Sequence, residues 1–541
     1  MVVVPDADRR GREEAGFVAG PSPLYVIVHL PPPSRRPAGT VVVCSTLGWE
    51  FIKDYRREVM LGRSLALHGF TVVRFHYRGQ GESGGQFARL TVASMAADAE
   101  QAFEAVGGRS GCEPPAVVGI RVGALAAAYF SRTLGGTPLV FWEPVVSGPG
   151  YLRDLTRVRQ VWNVVRGAGP MAPGGLEADG SLEVMGYRLG PELVRELSGA
   201  HLEELIPPAC AQVLRLHIGA IPRRMRESPV ELTDHGSRDR EAEAIPGKTE
   251  WWLKRRTFEP EEDCALSSGL VSRTTQWLAS RAVLATSVPR PHVRAVRPDA
   301  MFADGLRRTA VTVPAGPDIL AGVFVEPPAS DTSVAAVLLN CGSYHLTSGP
   351  VGLWARLADR LAQRGIPSLR VAYRGVADST GRVDDFDLTR PGRGDLEAAR
   401  TLLTERGFGR HLLIGGCFGA RTICAGRLDR VVGMGLVSLP VHMESLARPS
   451  SQARAVNQAL VEDLRRCVAA RVPIRVVYSR DEPYRHDFDA MAAGDLGAAA
   501  RTAGSRFEVT LLDGRDSMFE TDGVIDAVTE FAAGLVRPRV T

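Results

Sequence analysis

Gly415-Gly416-Cys417-Phe418-Gly419 is the stretch best suited to covalent chemistry. An apolar run, Leu412 to Ile414, leads into it, and a small-residue helical pattern follows. A strand that turns sharply on one residue and leaves as a helix holds that side chain at the strand's carboxyl end, over the helix's first N–H groups. Glycines two before and two after suit such a turn, because neighbouring backbone passes too close for a Cβ. A thiol presented there can attack an acyl carbon and carry it as a thioester. The positive end of the helix is expected to favour the thiolate. The bland alternative is a small buried hydrophobe kept for packing.

The same pattern stands 296 residues earlier as Gly119-Ile120-Arg121-Val122-Gly123. A guanidinium stays protonated and cannot attack a carbonyl. Arg121 could instead bind a ligand's carboxylate or phosphate, or simply point to solvent or pair with a glutamate. Tyr77-Arg78-Gly79-Gln80-Gly81-Glu82-Ser83 and Tyr373-Arg374-Gly375-Val376-Ala377-Asp378-Ser379 are also 296 apart. A shared offset at two motifs means two copies of one domain rather than a solenoid.

The elements that must position these turns alternate in each copy. In the first, strands are expected at Leu24–Leu30, Thr40–Cys44, Phe70–Tyr77 and Pro115–Gly119, with helices at Arg57–Gly69, Met95–Val106 and Ala124–Arg132. In the second, strands are expected at Val334–Leu339, Ser368–Tyr373, Ile474–Tyr478 and Phe507–Leu512, with helices at Leu353–Gln363 and Asp395–Arg406. Short continuous apolar strands between helices predict an α/β fold with a parallel sheet covered on both faces. The expected division is a flexible tail over 1–20, a first domain over 21–286, a linker over 287–303 and a second domain over 304–541. Ser45–Tyr55 is read as a loop, and the charged stretch Arg223–Lys254 as a loop or lid. Trp162, Trp251 and Trp252 are read as core or lid surface.

At 541 residues, 45% hydrophobic and 23% charged, the chain can build two sizeable cores. The net charge of +4 is almost entirely arginine against carboxylate, with no basic run interleaved with aromatics, which argues against a nucleic-acid surface. Eight scattered cysteines contain no C-x-x-C pair, so no zinc site or dithiol motif is indicated and no metal or cofactor is expected. With no apolar window near ~18–20 residues and no signal-peptide core, a cytoplasmic protein without a membrane span is expected.

The strand, the Y-R-G-x-G-x-S turn and the elbow, in that order and spacing, resemble the α/β-hydrolase superfamily. Trp142-Glu143-Pro144-Val145-Val146 and Tyr151-Leu152-Arg153 in the first copy, and cysteine in the elbow of the second, resemble the hydrolases associated with the exosortase A system, relatives of serine aminopeptidases and dienelactone hydrolases. The resemblance covers about 22–285 and 305–541. It implies two tandem α/β-hydrolase-fold domains, each a mostly parallel doubly wound sheet. It further implies a nucleophile at Cys417, an acid at Asp481, and a histidine where Ser517 stands. His345 or His486 could replace that base, or a water held by Ser517. Phe418, with Cys341, Gly342 and Ser343 of the loop after the first strand, would supply the oxyanion-hole N–H groups. In the first copy the nucleophile position is Arg121, and no acid directly follows Ala211–Ile218, so that copy is read as degenerate, ligand-holding or structural.

These readings together predict an acyl hydrolase, thioesterase or acyltransferase for an ester or thioester in biosynthesis, its substrate small or held on a carrier protein. A homo-oligomer is a further candidate assembly. The alternatives are a pseudo-hydrolase serving as a binding or scaffold module, and non-hydrolytic acyl transfer or cyclisation.

Overall fold

The computed structural model describes residues 11–108, 114–166, 175–221, 240–247, 260–281, 293, 295–328, 332–342, 346–381, 391–441, 456–494, 496–514, 516–519 and 521–536. The chain divides into two compact units, Met1–Ala300 and Met301–Thr541. Each is an α/β domain with one large, mostly parallel sheet.

In the first unit, β1 (Arg12–Val18) and β2 (Leu24–Leu30) form an antiparallel hairpin. The parallel part contains β3 (Gly39–Cys44), β4 (Phe70–Phe75), β5 (Ala116–Ile120) and β6 (Leu139–Trp142). A small hairpin, β7 (Leu182–Val184) and β8 (Tyr187–Leu189), stands apart from this sheet. β9 (Val213–Ile218), β10 (Arg240–Ile245) and β11 (Val296–Arg297) complete the first sheet in the order β11-β1-β2-β4-β3-β5-β6-β9-β10.

The second unit repeats that order. Its strands are β12 (Asp299–Met301), β13 (Arg307–Ala315), β14 (Asp318–Glu326), β15 (Val334–Leu339), β16 (Ser368–Val371), β17 (Arg410–Gly416), β18 (Val431–Val437), β19 (Ile474–Ser479) and β20 (Phe507–Leu512). They run β12-β13-β14-β16-β15-β17-β18-β19-β20. The all-apolar β15 is buried along its whole length, as a central strand covered on both faces must be.

The repeat extends to single atoms. Ser83 Oγ accepts from Tyr25 N at 2.8 Å and donates to His76 O at 2.6 Å. Ser379 Oγ accepts from Ala321 N at 3.0 Å and donates to Ala372 O at 2.9 Å. Arg78 clamps Asp98 through its backbone N and Nε, each at 2.9 Å. Arg374 clamps Asp395 in the same way at 3.0 and 2.9 Å. The Y-R-G turn is thus held by one serine and one aspartate in each unit. Its arginine–carboxylate hydrogen bonds are charge-assisted and geometrically exacting.

Several expectations are corrected. Residues 12–18, assigned to a flexible tail, form β1 and pair with β2 and with Val296–Arg297, which lie in the expected linker. The region 45–55 is not all loop, because the helix Gly48–Leu67 begins inside it. Arg240–Ile245 of the charged stretch is edge strand β10; the rest of that stretch, with Trp251 and Trp252, lies largely outside the described residues. Among the described residues no helix is long and apolar enough to cross a membrane.

Candidate functional site

In both units the chain leaves β3 or β15 toward one side of the sheet and returns on the other as β5 or β17. The carboxyl ends of such strands form the crevice in which open α/β sheets bind ligands. Each elbow closes one of these strands.

Cys417 follows β17 with φ 48° and ψ −112°, and the helix Phe418–Ala425 starts directly after it. Arg121 follows β5 with φ 52°. A Cβ on Gly419 would lie 2.5 Å from Leu339 O, and one on Gly123 would lie 2.1 Å from Ser45 O. On the strand side, a Cβ on Gly415 would lie 2.5 Å from Gly419 C, and one on Gly119 2.6 Å from Ala124 Cα. Both glycines of each pair are therefore required by close backbone approach, whatever residue stands between them.

Cys417 is 8% exposed. Burial pushes its thiol up to about 12; the Phe418 N–H pulls it down, and the carboxylates of Glu482 and Asp516 add to the upward push. The expected thiolate is not favoured, because desolvation exceeds what one helix terminus supplies. The same N–H that would steady an oxyanion is the group bonded to this sulfur.

Asp481 is exposed, and its N–H donates to Gly514 O at 3.1 Å. The acid that turns inward is its neighbour Glu482, 3% exposed. Ser517 Oγ donates to Glu482 Oε2 at 2.5 Å, and Ser479 N–H donates to the same oxygen at 3.1 Å. Ser438 Oγ donates to Oε1. A buried carboxylate is costly unless its lone pairs are met, and here hydroxyl and amide donors meet them without a cation. Ser517 thus occupies the expected histidine position and is bonded to a carboxylate, but that carboxylate is Glu482. Sequence offered one signal for it: Pro483 at the first position of the helix Pro483–Ala493 marks Glu482 as the cap at the strand–helix junction.

His486 is exposed on that helix. His345 and Ser343 lie outside the described residues. Cys341 does not offer its N–H, which donates to Asn340 Oδ1 at 2.7 Å; Trp354 Nε1 donates to the same oxygen at 3.0 Å. Gly342 has φ 144°, with nothing within 4 Å of a built Cβ. Burial pushes the Cys341 thiol well up, and Cys417 is near enough to add to that push, yet the two cysteines form no disulfide.

The other elbow has different surroundings. Arg121 is buried; Nη2 donates to Glu50 Oε1 at 3.3 Å and Nη1 to Glu143 O at 3.1 Å. The solvent-pointing alternative is thereby excluded. Thr46 Oγ1 donates to Glu50 Oε2 at 2.7 Å. Burial works against the charge on Arg121, but Glu50, with Tyr151 and Glu143, more than offsets it. Burial and the neighbouring Glu50 push the Tyr151 hydroxyl well above its usual range, so it remains a neutral donor. Above this floor lies a cavity of about 400 Å³, reached by the helix Gly148–Arg166 and the β7–β8 hairpin. Trp162 lines it and also packs, partly buried, against the core of the unit. Nothing local in the chain marks this cavity, since its walls come from segments far apart, from Leu47 to Leu189.

No family model and no curated protein matches the chain. Solved structures do. Est1E from Butyrivibrio proteoclasticus with ferulic acid bound is 14% identical, with TM-score 0.34, over 49% of this chain and 96% of its own. A hydrolase from Agrobacterium vitis S4 is 18% identical, with TM-score 0.32, over 44% and 100%. The α/β serine hydrolase XC6422 from Xanthomonas campestris, described as lacking a lid, is 17% identical, with TM-score 0.31, over 51% and 97%. At these identities neither activity nor substrate transfers to this chain.

Proposed function

We propose that the C-terminal unit moves acyl groups from an ester or thioester through Cys417, with transfer favoured over hydrolysis. The observation that carries this reading is the thiol held at the elbow beside the Phe418 N–H, with the buried Glu482–Ser517 pair at the acid and base positions. Attack by the neutral thiol forms the sulfur–acyl bond as the bond to the leaving group breaks, and the thiol proton passes to the departing oxygen or sulfur. Ser517 donates its own proton to Glu482 and retains lone pairs, so it is the group proposed to steady that proton in transit. The acyl-enzyme then needs an acceptor. Water requires a general base to be effective, and among the described residues the hydrogen bonds to Glu482 come from serine hydroxyls and backbone amides, not from a histidine. An amine or thiol brings more nucleophilicity of its own. The Phe418 N–H would shift from sulfur to the developing oxyanion. Small or carrier-bound acyl donors both fit this scheme, and a biosynthetic setting suits transfer.

Intact-mass measurement after incubation with a panel of acyl thioesters, beside Cys417→Ala, tests it. A single acyl adduct absent from the variant is expected, discharged faster by added amine than by water.

A second reading, a non-catalytic binding module, is favoured by the thiol's displacement to about 12. No adduct from any donor, while a thiol reagent still labels Cys417, would establish it.

A further inference from the structure

We propose that the N-terminal unit is a binding site for a neutral molecule with an apolar chain, its polar head accepting a hydrogen bond near Arg121. The proposal stands apart from the chemistry assigned to Cys417.

Arg121 has taken the elbow position and removed any covalent role there, yet the enclosure over it is built out. Between β6 and β9 the chain spends residues 143–212, including the helix Gly148–Arg166, the β7–β8 hairpin and the helix Pro191–Gly199. Between β18 and β19 the second unit spends only residues 438–473. The longer insertion supplies Leu155, Trp162, Met185 and Tyr187 to the cavity; Trp49 and Phe87 line it as well, the Phe87 ring 5.5 Å from that of Tyr187. At about 400 Å³ the cavity falls within the range of small-molecule sites. It has room for roughly a dozen groups of water size at ~30 Å³ each.

The charges of the lining decide the ligand's character. The lining contains two cations and two anions, and they are paired: Arg121 with Glu50 at 3.3 Å on the floor, Arg157 with Asp154 at 3.3 Å at the exposed mouth. Glu50 is further held by Thr46. A ligand carboxylate at the floor would bring a second anion against one guanidinium, a like-charge contact in a poorly hydrated place. A neutral ester or amide oxygen can share an Arg121 N–H without disturbing that balance. Val161 lines the mouth and is 65% exposed, so the apolar surface continues outward to where a chain would enter.

The test uses the full chain carrying Cys417→Ala, which keeps any acyl chemistry out of the measurement. N-methyldecanamide and decanoate at pH 8 are titrated by calorimetry, and by the fluorescence of the tryptophans that include Trp49 and Trp162. The amide is expected to bind at least about tenfold tighter than the carboxylate, a difference of ~1.4 kcal/mol. Val158→Trp, which fills the cavity from the half-buried face of its helix, is expected to weaken the amide at least about tenfold while leaving the thermal midpoint near that of the parent. Failure of the amide to bind the parent overturns the proposal, as does amide binding indifferent to Val158→Trp, or a preference for decanoate. Arg121→Gln, which keeps a donor over Glu50 but removes its counter-charge, should retain amide binding and widen the preference against the carboxylate; a preference left unchanged would also count against it.

Discussion

Arg121 and Cys417 hold nearly the same backbone conformation, φ 52° and φ 48°, on the same strand of two like sheets, each between glycines that tolerate no Cβ. Their surroundings differ in kind. Around Arg121 the buried groups form a charged but balanced floor under an open apolar cavity. Around Cys417 a neutral thiol faces a carboxylate that hydroxyls and amides already satisfy. The strained turn therefore cannot be taken as a sign of catalysis, because the unit that holds no nucleophile at its elbow keeps it too. Backbone strain at such a point belongs to the strand-to-helix connection, and chemistry depends on what the neighbours do to the side chain.

The sharpest break in that comparison would be an ionised Cys417. With the thiol pushed up to about 12, its thiolate fraction grows tenfold for each pH unit below that value. Site-resolved alkylation by iodoacetamide should therefore rise about a thousandfold from pH 7 to pH 10, with no plateau. A plateau near pH 7 or 8 would mean that the helix terminus lowers the thiol by more than burial raises it. Folding linkage runs in the same sense: a raised thiol contributes stability below the unfolded value, which is lost only as pH climbs toward the folded one.

If the elbows are the same structural device, the same lesion should harm both. Gly123→Ala and Gly419→Ala each push a methyl into a backbone oxygen, Ser45 O at 2.1 Å and Leu339 O at 2.5 Å. Overpacking of this kind should cost about 3 kcal/mol in the unit that carries it, at the upper end for inserted methyl groups. Chemical denaturation followed by limited proteolysis reports which unit has loosened. A tolerated Gly123→Ala would mean that the first elbow is less tightly held than the second.

The histidine position offers a repair. Ser517→His would set an imidazole against Glu482, where the serine hydroxyl now donates at 2.5 Å. General-base help of this sort is worth about a hundredfold. On the acyl-transfer reading the variant should hydrolyse its acyl-enzyme about that much faster, measured by decay of the adduct mass. An adduct that forms in neither protein would leave the binding-module reading.

How far sequence could see follows the same division. The repeat, the glycine pairs and the Y-R-G turn were legible because each is a local backbone requirement, written in Gly119, Gly123, Gly415 and Gly419 and in the arginines that clamp Asp98 and Asp395. β1 and the β13–β14 hairpin went unread, since they gain their place only by pairing with strands already formed. In the site, residue types were visible but burial was not. Asp481 and Glu482 are adjacent acids, and only packing turns one inward. Sequence alone points to an activated Cys417 because a helix terminus can be inferred from it, whereas the desolvation that outweighs that terminus cannot.

The smallest effect concerns the helix that both frames the first cavity and buries charge beneath it. Asp54 is wholly buried on the helix Gly48–Leu67, with Arg57 Nη1 3.7 Å away as its ion-pair partner. Burial raises it from the ordinary 3.8 to about 6; Arg57 opposes the rise and Glu50 adds to it. A carboxyl raised on folding stabilises the native state while protonated, so its contribution is full below about pH 4 and is lost as pH rises through about 6. At 1.36 kcal/mol per unit, the loss by pH 8 is about 2–3 kcal/mol. Asp54→Asn keeps the neutral shape without the titration. It should match the parent in urea unfolding at about pH 3 and exceed it by about 2–3 kcal/mol at pH 8, in the N-terminal unit alone. A variant less stable than the parent at pH 8 would show that the ion pair with Arg57 outweighs desolvation. The floor under Arg121 would then be held by its charges rather than merely tolerating them.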